Sequence, residues 1–223
     1  MAAVFTAIVV TANPPGLAHE GSGEGTKIDG REALLRSVEL FLNREAVKQV
    51  LVSVDSATLD EAKRKYGNHL GFSGVKLAVG TARWMDQLAA AVEKLLPETT
   101  HVIVHDASRP AVPYSDIDAL LDAAAKHDAV ALTAPVRTPL LELDEGGSPV
   151  AQHSASRYVQ LLTPQVFSRA KFLELCKAKQ EPHASQWTLI KGSPLNVRIA
   201  GAGDASVARA MIGMLPKPKL KAS

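Results

Sequence analysis

Val102-Ile103-Val104-His105-Asp106-Ala107-Ser108-Arg109-Pro110 decides the fold. Three consecutive β-branched apolar residues leave no polar face, which is the pattern of a strand covered on both sides. A short polar loop follows at the carboxyl end of that strand, where parallel α/β sheets bind their ligands. In such a loop Asp106 could hold a hydroxyl or a magnesium-linked phosphate, and Arg109 could fork onto phosphate oxygens. Ala107 keeps side-chain bulk away from a ligand, and Pro110 fixes the exit of the loop. By itself, an Asp-x-x-Arg tetrapeptide is read more simply as two residues that pair with each other or cap local backbone.

The same alternation runs outward in both directions. Towards the N-terminus, Val4–Val10 is a β-branched run that stops at Asn13-Pro14-Pro15-Gly16, where prolines remove ladder donors. Ala33, Leu34, Val38, Leu40 and Phe41 recur at helical spacing ahead of a second run, Val50–Val54. A helix around Asp60–Tyr66, a strand at Val75–Val79 and a helix over Met85–Leu96 lead into Val102. Beyond Pro110, Ser115 opens an amphipathic helix through Ala124, and Val130-Ala131-Leu132 supplies a fifth strand. The prediction is one α/β domain over residues 1–215, a Rossmann-like, mostly parallel sheet with helices on both faces. Regularity breaks after Pro135. Leu140–Leu143, the turn Asp144-Glu145-Gly146-Gly147-Ser148-Pro149 and Val150 onward predict a hairpin arm over about 139–160. A helix at Arg169–Ala178, strands near Trp187–Ile190 and Val197–Ile199, and a helix at Asp204–Met214 complete the domain. Residues 216–223 form a basic, proline-punctuated tail.

Composition narrows the classes. With 223 residues and 46% apolar content the chain can bury a substantial core. Twenty-five Lys and Arg against 23 acids give a net charge of +2, so no broad field argues for nucleic acid or an anionic membrane as partner. Any anion site must be local. The lone Cys176, the absence of a leader pattern and the lack of a long apolar run point to a cytoplasmic protein without a membrane span. The seven histidines show no zinc-ligand spacing, and no serine sits in a Gly-x-Ser-x-Gly elbow.

His105–Pro110 resembles the His-Asp-Ala-Ala-Arg-Pro segment of the 2-C-methyl-D-erythritol 4-phosphate cytidylyltransferases, a nucleotidyltransferase family. Further matches follow in the family's order: Gly30–Val38, Gly80-Thr81-Ala82-Arg83, Ala134-Pro135-Val136-Arg137, Thr163-Pro164-Gln165-Val166-Phe167 and Gly192–Ile199. The resemblance implies transfer of CMP from CTP to 2-C-methyl-D-erythritol 4-phosphate or a related polyol phosphate. It also implies release of pyrophosphate, magnesium on the triphosphate, and a homodimer built through the arm. By motif position, Asp106 and Arg109 would touch the polyol phosphate or ribose, with Asp106 the candidate metal ligand. Ala107 would offer backbone near the nucleotide, and Thr163 would line the acceptor pocket. Gly80, Thr81, Arg83 and Asp86 would bind the nucleotide, Asp86 standing where the family has a serine facing cytosine. Arg198 takes the place of a phosphate-binding lysine.

The first loop departs from the pattern. The family reads Ala-Ala-Gly-x-Gly-x-Arg and then Pro-Lys-Gln, whereas this chain reads Thr11-Ala12-Asn13-Pro14-Pro15-Gly16. Gly21-Ser22-Gly23-Glu24-Gly25-Thr26-Lys27 could rebuild an anion loop with Lys27 as its cation; a plain surface loop is the alternative. Two functions therefore stand side by side. One is a cytidylyltransferase with Lys27 and Arg198 as catalytic cations, and the other is a non-catalytic relative with a binding or structural role.

Overall fold

The computed structural model describes residues 3–17, 20–201 and 203–215. The tail expected at 216–223 lies outside them. In chain order the elements are β1 (Phe5–Val10), β2 (Lys27–Ile28), β3 (Arg31–Glu32), α1 (Ala33–Leu42), β4 (Val47–Asp55), α2 (Leu59–Phe72), β5 (Lys76–Gly80) and α3 (Trp84–Val92). They continue with β6 (His101–Asp106), α4 (Tyr114–Ala124), β7 (Ala129–Pro135), β8 (Leu140–Leu143), β9 (Pro149–His153), β10 (Val159–Ser168), α5 (Arg169–Ala178), β11 (Thr188–Lys191) and α6 (Asp204–Met214).

Seven strands form one sheet in the order β11-β7-β10-β6-β1-β4-β5. All neighbours are parallel except β10, which runs antiparallel to both β6 and β7. Side chains on the central strands alternate between two cores. Phe5, Ala7 and Val9 of β1 pack with α1, α2 and α4 on one face. Ile8 and Val10 pack with α3 and α5 on the other. The sheet is thus mostly parallel and covered on both faces, as the apolar runs required. Among the described residues, no helix is long and apolar enough to cross a membrane.

Three details differ from expectation, and each has a local cause. Val159–Ser168 is the longest strand, yet it sits inside the segment predicted as arm and motif. Its register with β7 breaks between Leu162 and Gln165, which interrupts the alternation that would have betrayed a strand. The projecting arm is consequently shorter than 139–160: β8 pairs with β9 from Leu140↔His153 to Leu143↔Pro149, while Val159 and Gln160 already pair with Pro135 and Ala134. Val197–Ile199 is not a strand; its tie to the neighbouring loop is the Ile199 amide donating to Ser108 O at 2.9 Å. Arg198 does the remaining anchoring through its side chain, as described below.

Candidate functional site

β1 and β6 lie side by side with Val10 opposite Asp106, so their exit loops start together at one edge of the sheet. The β6 loop is folded onto itself by short-range bonds. Asp106 Oδ1 accepts from the Ser108 amide at 2.8 Å, and the Arg109 amide donates to Asp106 O at 3.0 Å. From β10, the Thr163 hydroxyl accepts the Asp106 amide at 3.0 Å, while Thr163 O accepts from Asn196 Nδ2 at 2.7 Å. Ala107 is sealed: its amide donates to Val10 O, and its carbonyl accepts from the Ser37 hydroxyl. The Ala107 amide is thus occupied, while its carbonyl, bonded once, keeps a second lone pair.

A charged cluster fills the space in front of this loop. Arg198 Nε donates to Asp106 Oδ2 at 2.8 Å, and Arg109 Nε lies 3.9 Å from the same oxygen. Side-chain exposures of 8% for Arg198 and 2% for Asp106 place the pair away from bulk water, where its attraction is weakly screened. Arg109 Nη1 donates to Asn196 O at 2.9 Å. Burial holds the Arg109 guanidinium below its ordinary pKa, opposed by Asp106 and reinforced by the like charge of Arg198. Arg198 reaches further than a lysine could. Its Nη1 donates to Gly21 O at 3.0 Å and its Nη2 to Asn13 Oδ1 at 2.5 Å, so one guanidinium joins the β6 loop to both ends of the first loop.

Two glycines of that first loop are closely packed. A Cβ on Gly21 would stand 2.1 Å from Ala200 O, and one on Gly23 would stand 2.4 Å from Ile199 Cγ2. The Gly23 amide donates to the Ser108 hydroxyl at 3.1 Å. Gly21→Ala is therefore expected to lift the loop off Ala200 and break its bond to Arg198. Limited proteolysis should show faster cleavage between residues 13 and 25 than in the wild type.

Lys27 does not join the cluster. Asp29 and Gly30, at φ 49° and 79°, turn β2 tightly into β3. Alternation then sends Ile28 inward against Ala33 and Ile199 and Lys27 outward. The Lys27 ammonium, 67% exposed, lies 3.9 Å from Glu32. The geometry opposes the catalytic role expected for it.

Two cavities lie near this cluster, one lined by Arg198 itself and the other by Asn13, which Arg198 holds. One, of about 620 Å³, is lined by Arg109, Arg137, Ser193, Asn196, Arg198 and Asp204, so three guanidiniums face it. The other, of about 510 Å³, is lined by Asn13, Pro15, Arg83, Trp84, Lys179 and Glu181. Gly80 and Thr81 lead directly into Ala82 and Arg83, which line this second cavity. Glycine is required at position 80 because a Cβ would come within 2.8 Å of Gln87 Cα in α3. The Thr81 hydroxyl donates to Asp86 Oδ2 at 2.8 Å, and Lys179 Nζ donates to Asp86 Oδ1 at 2.8 Å. Those two donors, Lys179 first, hold the Asp86 carboxyl below its usual range. Arg83 caps the start of α3 and turns its side chain to the cavity.

Asp106 is poorly disposed towards a metal, since both its oxygens already accept protein donors and two guanidiniums stand in front of it. Among the described residues, no group of three or more His, Cys, Asp or Glu side chains could hold an ion. Gln87 and Lys179 escaped the sequence reading, while Asn13, Arg137 and Asn196 stood there within quoted segments without a role. Lys179 ends α5 in the left-handed conformation at φ 53°, a position usually given to glycine.

Comparison with known proteins gives the family and the fold. Residues 8–213 match the family model described as IspD: 2-C-methyl-D-erythritol 4-phosphate cytidylyltransferase. The protein of that name from Vibrio atlanticus is 30% identical over 201 residues, covering 82% of this chain and 83% of its own. Among solved structures, a 4-diphosphocytidyl-2C-methyl-D-erythritol synthase from Anaerococcus prevotii superposes with a TM-score of 0.76 at 15% identity, covering 95% of this chain and 99% of its own. The Thermus thermophilus 2-C-methyl-D-erythritol 4-phosphate cytidylyltransferase gives 0.71 at 20% identity, with 93% and 98% covered. The fold, the ordered loops at the sheet edge and a family match spanning nearly the whole chain lead to one conclusion: this protein belongs to the 2-C-methyl-D-erythritol 4-phosphate cytidylyltransferase family.

Proposed function

We propose that the protein transfers the cytidylyl group of CTP to 2-C-methyl-D-erythritol 4-phosphate, releasing pyrophosphate, as a step of isoprenoid biosynthesis. The observation that carries this is the buried Asp106–Arg198–Arg109 cluster beside one cavity of small-molecule size, with Arg198 also holding Asn13, which lines a second. An oxygen of the acceptor phosphate attacks the α-phosphorus of CTP. The bond from that phosphorus to the α,β-bridging oxygen breaks, and its electron pair leaves on pyrophosphate.

Such a transfer needs positioning and positive charge rather than a covalent nucleophile. Arg109, Arg137 and Arg198 give the larger cavity the charge to hold the acceptor phosphate. Arg83 and Lys179 give the smaller one cations for the nucleotide, with Gly80, Thr81 and Asp86 shaping its rim. Asp106 orients Arg198, and Thr163 fixes Asp106 through its backbone amide. Magnesium enters this scheme with the triphosphate, since magnesium commonly keeps phosphate and water ligands; no residue of the chain is assigned to it.

Two further parts of the proposal concern assembly and place. Leu141, Leu143 and Val150 on the β8–β9 arm are each more than half exposed. That apolar surface suits the corresponding face of a second copy, giving a homodimer. A cytoplasmic location accords with the buried Cys176, whose thiol burial pushes up to about 12 and so keeps unreactive.

Incubation with CTP, magnesium and 2-C-methyl-D-erythritol 4-phosphate should release pyrophosphate in proportion to enzyme and only with both substrates present. Arg109→Ala should lower that rate by roughly a hundredfold or more. Absence of pyrophosphate at high enzyme concentration would eliminate the transferase and leave a binding or structural role.

A further inference from the structure

Gln87 lies in the first turns of α3 with 1% of its surface exposed, and it bridges the two segments, Thr11–Ala12 and Thr81, that lead into the lips of the smaller cavity at Asn13 and at Ala82–Arg83. Its Oε1 accepts from the amides of Thr11 and Ala12, both at 3.1 Å, and its Nε2 donates to Thr81 O at 3.1 Å. Two N–H donors on one side and a carbonyl on the other admit only this orientation of the carboxamide. One side chain thus ties the exit of β1 to the exit of β5. The Thr11 amide is shared with Ser53 O at 3.1 Å, whereas the Ala12 amide bonds to Gln87.

The consequence reaches the ligand side. Asn13 follows Ala12 directly, lines the smaller cavity and is held from the other side by Arg198. Its position is therefore fixed from α3 through Gln87 and from the β6 loop through Arg198. With Thr11 and Ala12 consumed and Pro14 and Pro15 lacking N–H groups, the first-loop amides that remain for an anionic ligand begin with Asn13 and Gly16. Neither donates to a described protein group.

Resting on the function proposed above, we infer that Gln87 is a positioning residue for the nucleoside triphosphate: it sets the separation of the two lips and directs the polyphosphate towards the Asn13–Gly16 amides. Gln87→Met keeps the volume and removes every hydrogen bond. Gln87→Glu keeps the acceptor for Thr11 and Ala12 but turns a carboxylate oxygen towards Thr81 O.

Steady-state kinetics with each substrate varied, together with hydrogen–deuterium exchange of the free proteins, separate the outcomes. Gln87→Met should raise KM for CTP about tenfold, from the loss of one or two buried hydrogen bonds. KM for the polyol phosphate and kcat should stay within about twofold. Exchange should quicken in peptides covering residues 9–17 and 78–84. Gln87→Glu, which also serves if Gln87→Met does not fold, should quicken exchange in the second peptide more than in the first and raise KM for CTP by a smaller factor. An active wild type whose Gln87 variants keep their CTP KM, or lose kcat and both KM values together, would overturn the positioning role alone. A wild type that neither binds nor turns over CTP would remove the functional proposal, and this role with it.

Discussion

Arg198→Ala is expected to lower kcat/KM for pyrophosphate release by roughly a hundredfold to a thousandfold, the range seen when one charge-stabilising donor leaves a transfer site. It is also expected to cost up to about 3–5 kcal/mol of stability, because removing one partner strands the other charge. Asp106 keeps the Ser108 amide and Arg109 at 3.9 Å, which places the cost nearer the lower figure. All three guanidinium nitrogens of Arg198 are engaged, by Asp106, Gly21 and Asn13. Three of its five N–H donors are thereby used, and one on each of Nη1 and Nη2 remains for a substrate phosphate. Arg198→Lys separates the two roles: an ammonium restores the charge beside Asp106 but cannot fork to the first loop. It should recover most of the stability in urea denaturation while keeping a raised KM for the acceptor. In a cycle with Asp106→Asn, the double variant should be more stable than the sum of the single losses by roughly 1–3 kcal/mol. Strict additivity would show that the pair contributes nothing as a pair.

The strand-loop motif at Val102–Pro110 was legible because it is local: hydrophobic run, polar turn and proline all lie within nine residues. The same holds for α5, whose observed limits Arg169–Ala178 match the expected ones and whose N-cap Ser168 accepts the Lys171 amide. β10 was not legible as a strand. Its direction and central place depend on pairing with β6 and β7, and its register break at Thr163–Pro164 spoils the alternation. Lys27 shows the opposite failure. A lysine after a glycine-rich stretch has the right chemistry for a phosphate, but the Asp29–Gly30 turn fixes which face of β2 is buried, and that face belongs to Ile28. Asp-Gly between two short extended pieces was a readable hairpin signal. Gln87 carried none: a glutamine in an amphipathic helix is ordinary until its neighbours are known to be the amides of Thr11 and Ala12. Arg198 was expected as a cation, and its three-way grip on the first loop emerges only in three dimensions.

Acid lability should follow from His105, directly beneath the cluster. Its ring is fully buried, packs edge-on to Phe41 at 5.3 Å between centroids, and lies with Nε2 3.0 Å from Arg109 O. Nδ1 has no partner. A carbonyl can only accept, so the imidazole is the neutral tautomer with its proton on Nε2. Burial pushes its pKa down to about 3, the bond to Arg109 O opposing this and the Arg109 charge adding to it. In the unfolded chain the group titrates near ~6.5. Between those values the unfolded state binds the extra proton, so this contribution to stability is full above about pH 6.5 and declines as pH falls towards 3. The slope approaches 1.4 kcal/mol per pH unit, or about 2 kcal/mol between pH 7 and 5. His101, half-buried and also shifted down by desolvation, adds in the same direction. Carboxylates titrate in this window as well, which makes the decisive quantity a difference between proteins. His105→Gln retains an N–H donor within reach of Arg109 O and cannot be protonated there. It should be less stable than the wild type at pH 7, with the gap narrowing by about 2 kcal/mol at pH 5 in urea denaturation. Parallel pH profiles would mean that the imidazole is not held neutral.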